Sequence, residues 1–159
     1  MSEHKVHVDF PGRIVIIGFG SIGQGVLPLI LRHIGIAPSR ITIVTAEDRG
    51  KAEADHYGIR FVKETLTRDN FRRVLDPIVG RGDFVLNVSV DVASIALIKF
   101  AWEKGAMYLD TCIEPWPGGY TDPGVPICSY TYPGGSARLT IEGTEAGGWK
   151  VTKVEYTAD

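Results

Sequence analysis

Several things are scarce in this 159-residue chain, and each scarcity removes a class of function. Cysteine occurs only as Cys112 and Cys128, too far apart for a redox C-x-x-C pair. With no secretion signal, reduced thiols are the expectation, and with them a cytoplasmic location. The opening Met1–His7 has neither the apolar core nor the cleavage pattern of a signal peptide. No apolar run is long enough to span a bilayer. His4 and His7 have no cluster of Cys, His or carboxylate nearby, so no metal site is expected. Charge of one sign is also lacking. A formal net charge of −2 gives no general attraction to nucleic acid or to an anionic membrane. Internal repeats and low-complexity segments are absent too. A single soluble domain with enough chain for a core remains.

What is present begins at Ile14-Val15-Ile16-Ile17, consecutive β-branched residues that read as a strand buried on both faces. Gly18-Phe19-Gly20-Ser21-Ile22-Gly23 follows with the spacing G-x-G-x-x-G, and then an apolar run of helical period. In a dinucleotide-binding turn each glycine has a separate task. Gly18 allows the sharp turn, Gly20 lets a pyrophosphate approach the backbone, and Gly23 lets the helix pack on the strand. The helix N-terminus then offers unpaired N–H groups and a positive dipole end to phosphate. The motif alone is weak; its place between a strand and a helix strengthens it.

Taken in order, residues 1–11 read as a loose polar arm ending at Pro11. A first helix is expected over Ser21–His33, with Ser21 as N-cap, Pro28 kinking or splitting it, and Gly35 at its C-terminal end. Ile41–Thr45 is the second strand, 51–57 a short helix and Ile59–Val62 the third strand. The spacing of Phe71, Val74, Leu75 and Ile78 predicts a helix from Thr67, with Arg72 and Arg73 on its solvated face. Asp83–Val88 is the fourth strand. Ser89-Val90-Asp91 opens a helix to Lys104, and Ala106–Asp110 is the fifth strand. This alternation predicts an α/β fold, a Rossmann-like doubly wound parallel sheet of order 3-2-1-4-5 counting those strands along the chain. It should occupy residues 12–126. Residues 127–159 form a Pro/Gly-rich segment and a C-terminal β-hairpin, on which Trp149 and Tyr156 cover an apolar edge or face.

Ligands of open α/β sheets bind beyond the carboxyl ends of the strands. Thr45 stands where a ribose-binding acid is often found, and Glu47 and Asp48 follow at about the expected 20-residue offset from the glycines. Arg49 and Lys51 could instead meet the extra phosphate of NADP, and Asp48 could simply cap the next helix. NAD is the cofactor expected. Asn87, Val88 and Ser89 after the fourth strand, and Thr111 after the fifth, lie where they could contact it near the nicotinamide. Asp91 reads as a helix cap or a ligand contact. Glu114 falls in a Pro-bounded run where no helix needs capping. Beside Trp116 it suits a cationic ligand, or else it is a loop acid with the indole packed on the sheet end.

Four runs resemble bacterial homospermidine synthase, a relative of saccharopine dehydrogenase. They are Ile17–Gly25, Thr67-Arg68-Asp69-Asn70, Asn87–Asp91 and Tyr108–Trp116, and the resemblance spans roughly Gly12 to Pro126. The Glu114-Pro115-Trp116 run is its most specific part. The resemblance implies that NAD is kept as a prosthetic group while a primary amine of putrescine is oxidised to an imine. A second putrescine then displaces ammonia, and the stored reducing equivalent gives homospermidine. Asp91, Glu114 and Trp116 would lie near the path of the diamine. Members of that family are much longer, and residues from Ile127 onward do not look like their continuation. The 159 residues are therefore expected to lack the substrate domain, to leave the catalytic residues unassigned, and to form no homospermidine alone. The competing reading is a non-catalytic nucleotide-binding or structural module, with identical copies assembling through the hairpin. A third, a methyltransferase using S-adenosylmethionine, is disfavoured by the complete glycine motif.

Overall fold

A computed structural model describes residues 4–121 and the backbone of 136–144 and 148–157. Its centre is a five-stranded parallel sheet in the order β5 (Arg60–Lys63), β4 (Ile41–Thr45), β2 (Ile14–Ile17), β6 (Phe84–Asn87), β7 (Met107–Asp110). Counted along the sheet's own strands this is 3-2-1-4-5. The glycine motif leaves the middle strand, beside the point where the chain order reverses.

The period of two along each strand divides the core into two layers. Val15, Ile17, Val44 and Val85 face one side and pack with Leu75 of α3 (Phe71–Leu75) and with Leu97 and Phe100 of α4 (Ser94–Lys104). Ile14, Ile16, Ile41, Ile43 and Leu86 face the other, against Leu27 of α1 (Ser21–His33) and Ala54 of α2 (Lys51–His56). Every residue of β2 is buried, so strand and sequence run agree. Burying one such Ile or Leu contributes about 1.5–3 kcal/mol.

Local structure departs from expectation in several places. The N-terminal arm is not wholly loose. Val8–Asp9 forms β1 and pairs in parallel with β3, Ile34–Gly35, directly after α1. Gly35 therefore continues as strand and does not end the helix in a left-handed turn. Ser21 is the first helical residue and Gly20 the N-cap, without a side-chain cap bond. Pro28 lies inside α1, which nevertheless runs unbroken from Ser21 to His33. Gly50, in the left-handed region at φ 79°, precedes α2, and the Asp48 side chain pairs with Lys63 instead of capping it. α3 starts at Phe71, because Thr67 and Asn70 close a turn on each other. Its Arg72 is not simply solvated. It forms a two-pronged ion pair with Glu103 on α4 and lies over the Phe71 and Phe100 rings.

α4 begins at Ser94, later than the sequence suggests. Val92 and Ala93 are buried ahead of it, and Asp91 sits at φ 63°. That conformation takes Asp91 away from the N-cap, which is Ala93. The C-terminal hairpin pairs β8 (Ser136–Thr144) with β9 (Gly148–Thr157) in antiparallel register. The expectation for the side chains of Trp149 and Tyr156, and the stretch 122–135, lie outside the described residues.

Candidate nucleotide-binding site

Above the carboxyl ends of β2, β4 and β6 lies a crevice of about 820 Å³. Its floor is the glycine turn. Gly18 has φ 83°, and a Cβ there would come within 2.7 Å of the Ser89 backbone, so no side chain fits. Gly23 packs against the Gly18 carbonyl and the Phe19 ring, where a Cβ would sit at 3.0 Å from each. Gly20 differs from both. Beyond its chain neighbours no protein atom lies within 4 Å of its absent Cβ, and Gly20 itself lines the crevice. Phe19 contributes backbone only. Its ring is buried against Phe61 and Gly50, and Gln24 Nε2 donates to its carbonyl at 2.9 Å. Ser21 and Ile22 open α1, whose first N–H groups have no partner within the helix.

One half of the crevice is walled by the ends of β4 and β5. Thr45, Glu47 and Arg49 line it, with a Glu47–Arg49 ion pair at 3.6 Å. Asp48 is nearby but turned to Lys63. Residues 65–69 close that side. Asn70 fixes their path. Its Oδ1 accepts from the Thr67 N–H at 2.7 Å, and its Nδ2 donates to the Thr65 carbonyl at 2.9 Å. This wall carried a signal in the run Thr67–Asn70, but spacing alone gave it no role.

The other half is formed by residues 88–92 and by Trp116 and Pro117. Val88, Ser89 and Asp91 line it. Asp91 is the only non-glycine residue at positive φ among the described residues, a conformation that Asp tolerates better than most. Asn87 does not line the crevice. Its side chain is buried and turned sideways, taking the Ser89 N–H and hydroxyl on Oδ1 and reaching the Tyr108 hydroxyl with Nδ2. Trp116 lines the crevice and also packs on Phe71, ring centroids 5.7 Å apart.

Thr111 and Glu114 stand in the loop after β7, outside the crevice lining. Glu114 helps start α4 after all, through its backbone. Its carbonyl accepts the Ser94 N–H at 2.8 Å, and its N–H donates to Ser94 Oγ at 3.0 Å. Its carboxylate accepts the Cys112 thiol. That bond pushes the Cys112 pKa up, with burial and the charges of Glu114 and Asp110 adding to it. Cys112 is thus held as a thiol, not a nucleophilic thiolate. Among the described residues no group of three or more His, Cys, Asp or Glu is arranged to hold a metal. No helix among them is long and apolar enough to cross a membrane.

A glycine turn from the central strand, a helix N-terminus above it and a crevice at the reversal of strand order define a dinucleotide-binding domain. The chain belongs to the saccharopine dehydrogenase NADP binding domain family, which matches residues 14–133. It is 42% identical over 126 residues to the homospermidine synthase of Blastochloris viridis, covering 77% of this chain and 26% of that protein. Over 120 residues it is 41% identical to the homospermidine synthase of Mesorhizobium japonicum, covering 74% and 25%. Among solved structures it is similar to the homospermidine synthase of Legionella pneumophila in complex with NAD. That match has a TM-score of 0.67 and 38% identity, over 69% of this chain and 24% of that one. The chain thus spans about a quarter of the length of these relatives.

Proposed function

We propose that these residues are the NAD-binding domain of a homospermidine synthase-like enzyme, working in the cytoplasm, where the free Cys112 thiol stays reduced. The observation that carries the reading is the open space at Gly20 beside the α1 N-terminus, on a chain 41–42% identical to two homospermidine synthases. The residues present fit the cofactor. The turn Gly18–Gly23 and the N-terminus of α1 at Ser21 and Ile22 would hold a pyrophosphate, with no Cβ at Gly20 in the way. Thr45 and Glu47 take the adenosine half, with Asp48 behind them. Val88 and Ser89 would take the nicotinamide half, with Thr111 in the loop after β7 outside the crevice lining. The family's description speaks of NADP, but the Glu47–Arg49 pair favours NAD. A carboxylate there accepts ribose hydroxyls, repels a 2′-phosphate and engages the nearest arginine.

When bound, NAD supplies a two-electron acceptor and donor, suited to oxidising an amine and reducing an imine. The chain's own groups would handle the diamine. Asp91 sets a carboxylate in the crevice and Trp116 an indole, a pairing that favours an alkylammonium. Glu114 adds negative charge beyond the strand end, drawing the dicationic putrescine towards the same mouth.

Calorimetric titration with NAD and with NADP tests the cofactor. The expected result is binding of NAD in preference to NADP, with Glu47→Ala narrowing the gap. Folded protein that ignores both at millimolar concentration would refute dinucleotide binding. Putrescine should then bind more weakly to the NAD-loaded Asp91→Asn variant than to the wild type. Equal binding would favour a nucleotide-binding module without diamine chemistry.

A further inference from the structure

The buried groups behind Ser89 fix the direction in which its hydroxyl can bond. A backbone N–H can only donate, so the Ser89 N–H, 3.2 Å from the Asn87 side chain, identifies the atom it meets as Oδ1. The amide orientation of Asn87 is thereby settled. Ser89 Oγ lies 2.6 Å from the same oxygen, an acceptor without a proton, so the serine hydroxyl donates to it. On the other side Nδ2 of Asn87, 3.2 Å from the Tyr108 hydroxyl, must donate. Tyr108 in turn gives its own proton to Asp110 Oδ2 at 2.9 Å. Burial, reinforced by Asp110, raises the Tyr108 pKa well above the usual tyrosine value, so this proton is retained. Every donor in the chain Ser89–Asn87–Tyr108–Asp110 points the same way, towards the carboxylate.

We infer that Ser89 meets a bound dinucleotide as a hydrogen-bond acceptor, held in that role by Asn87, Tyr108 and Asp110 behind it. With its single proton committed inward, only lone pairs face the crevice. Such a group suits a neutral donor and not a phosphate oxygen. On the nicotinamide half of the cofactor the donors are the carboxamide N–H and the ribose hydroxyls. The inference rests on the dinucleotide reading and deepens it. Ser89 contacts the ligand, whereas Asn87 is a positioning residue that acts through it. Asn87 occupies the middle of the sheet, between Ile17 and Asp110 in register, and is 2% exposed, so it has no route to the ligand itself.

The test measures the affinity of the 159-residue protein for NAD and for 3-acetylpyridine adenine dinucleotide, which lacks the amide N–H but keeps the ribose. Ser89→Ala, Asn87→Ala and the double variant are compared with wild type. Ser89→Ala removes one hydroxyl from a half-buried residue and should weaken NAD about three- to tenfold, the worth of one net hydrogen bond. If the carboxamide is the donor, wild type discriminates against the acetylpyridine analogue by a similar factor and Ser89→Ala abolishes that discrimination. A ribose donor instead makes Ser89→Ala weaken both dinucleotides alike. Asn87→Ala should reproduce the Ser89→Ala loss, and the double variant should be no worse than either, because the two act as one unit. Unchanged affinities in Ser89→Ala would overturn the acceptor role, and additive losses would overturn the positioning role of Asn87. Wild-type protein that binds no NAD would remove the dinucleotide reading, and this inference with it.

Discussion

At the N-terminal ends of β2 and β6, the buried carboxylate takes its partners from the chain itself. Asp83, buried there, accepts the Arg13 N–H at 2.8 Å, Arg13 Nε at 2.9 Å and the Gly80 N–H at 2.8 Å, and pairs with Arg13 Nη2 at 2.7 Å. At the opposite ends of the same two strands, Gly18 and Ser89 pack on each other and leave bonding capacity facing a crevice. Asp83, just before β6, and Asn87, at its carboxyl end, are both buried, so burial does not explain the difference. One end closes the fold, and the other holds the backbone in conformations that a ligand can use. Polar groups of similar kind thus contribute stability in one place and recognition in the other, according to whether their partners come from the chain.

The largest effect belongs at the closed end. Asp83→Ala leaves the Arg13 and Gly80 N–H groups without their acceptor and should lower stability by about 2–4 kcal/mol. NAD affinity of the folded fraction should not change. Urea denaturation with and without NAD checks both halves of that statement, and a loss of affinity at constant stability would break the comparison.

Gly18→Ala should come next, at about 1–2 kcal/mol for the left-handed backbone alone, with the clash against Ser89 adding to it. Because its Cβ would press on Ser89, this variant should lose binding as well as stability, unlike Asp83→Ala. Melting curves and calorimetry on one sample separate the two losses.

A pH series sharpens the contrast. Burial raises the Asp83 pKa, but hydrogen bonds from Arg13 and Gly80 outweigh it and hold the carboxyl below its usual range. A lowered folded-state pKa means the stabilisation is fully present above the ordinary carboxylate pKa. It is lost as pH falls through the lowered value. The gap in urea midpoint between wild type and Asp83→Asn should therefore narrow on acidification below the ordinary carboxylate range. A constant gap would assign the stabilisation to packing.

The smallest effect concerns Cys112. In a Cys128→Ser background its alkylation by iodoacetamide at neutral pH should be slower than that of free cysteine, and Glu114→Gln should speed it. Glu114→Gln without effect on the rate would mean that the carboxylate does not govern the thiol.

Much of this was legible in the sequence because it was written in long patterns. Ile14–Ile17 and the glycine spacing specify the central strand, its turn and α1, and the alternation of elements specifies the strand order. Short and cooperative features were not legible. β1 and β3 are two residues each and pair only because α1 brings them together. The start of α3 is set by the Thr67–Asn70 turn, and that of α4 by burial of Val92 and Ala93. In both cases tertiary contacts override helical periodicity. For the crevice lining, the glycine turn, Val88 and Ser89 are named by the sequence pattern, while Asp91 reads equally as a cap. The sideways turn of Asn87 could not be read there, because Tyr108 and Asp110 meet it only through pairing of β6 with β7.

Gly20 bears most directly on the claim that the open end of the sheet binds a dinucleotide while the rest of the domain holds the fold. Its φ of −75° accepts an L side chain, and beyond its chain neighbours no protein atom lies within 4 Å of the Cβ. The decisive measurement is calorimetric titration of wild type and Gly20→Val with NAD, alongside their melting temperatures. The expected result is binding by wild type only, with closely similar melting temperatures for the two ligand-free proteins. Gly20→Val binding NAD as tightly as wild type would contradict it.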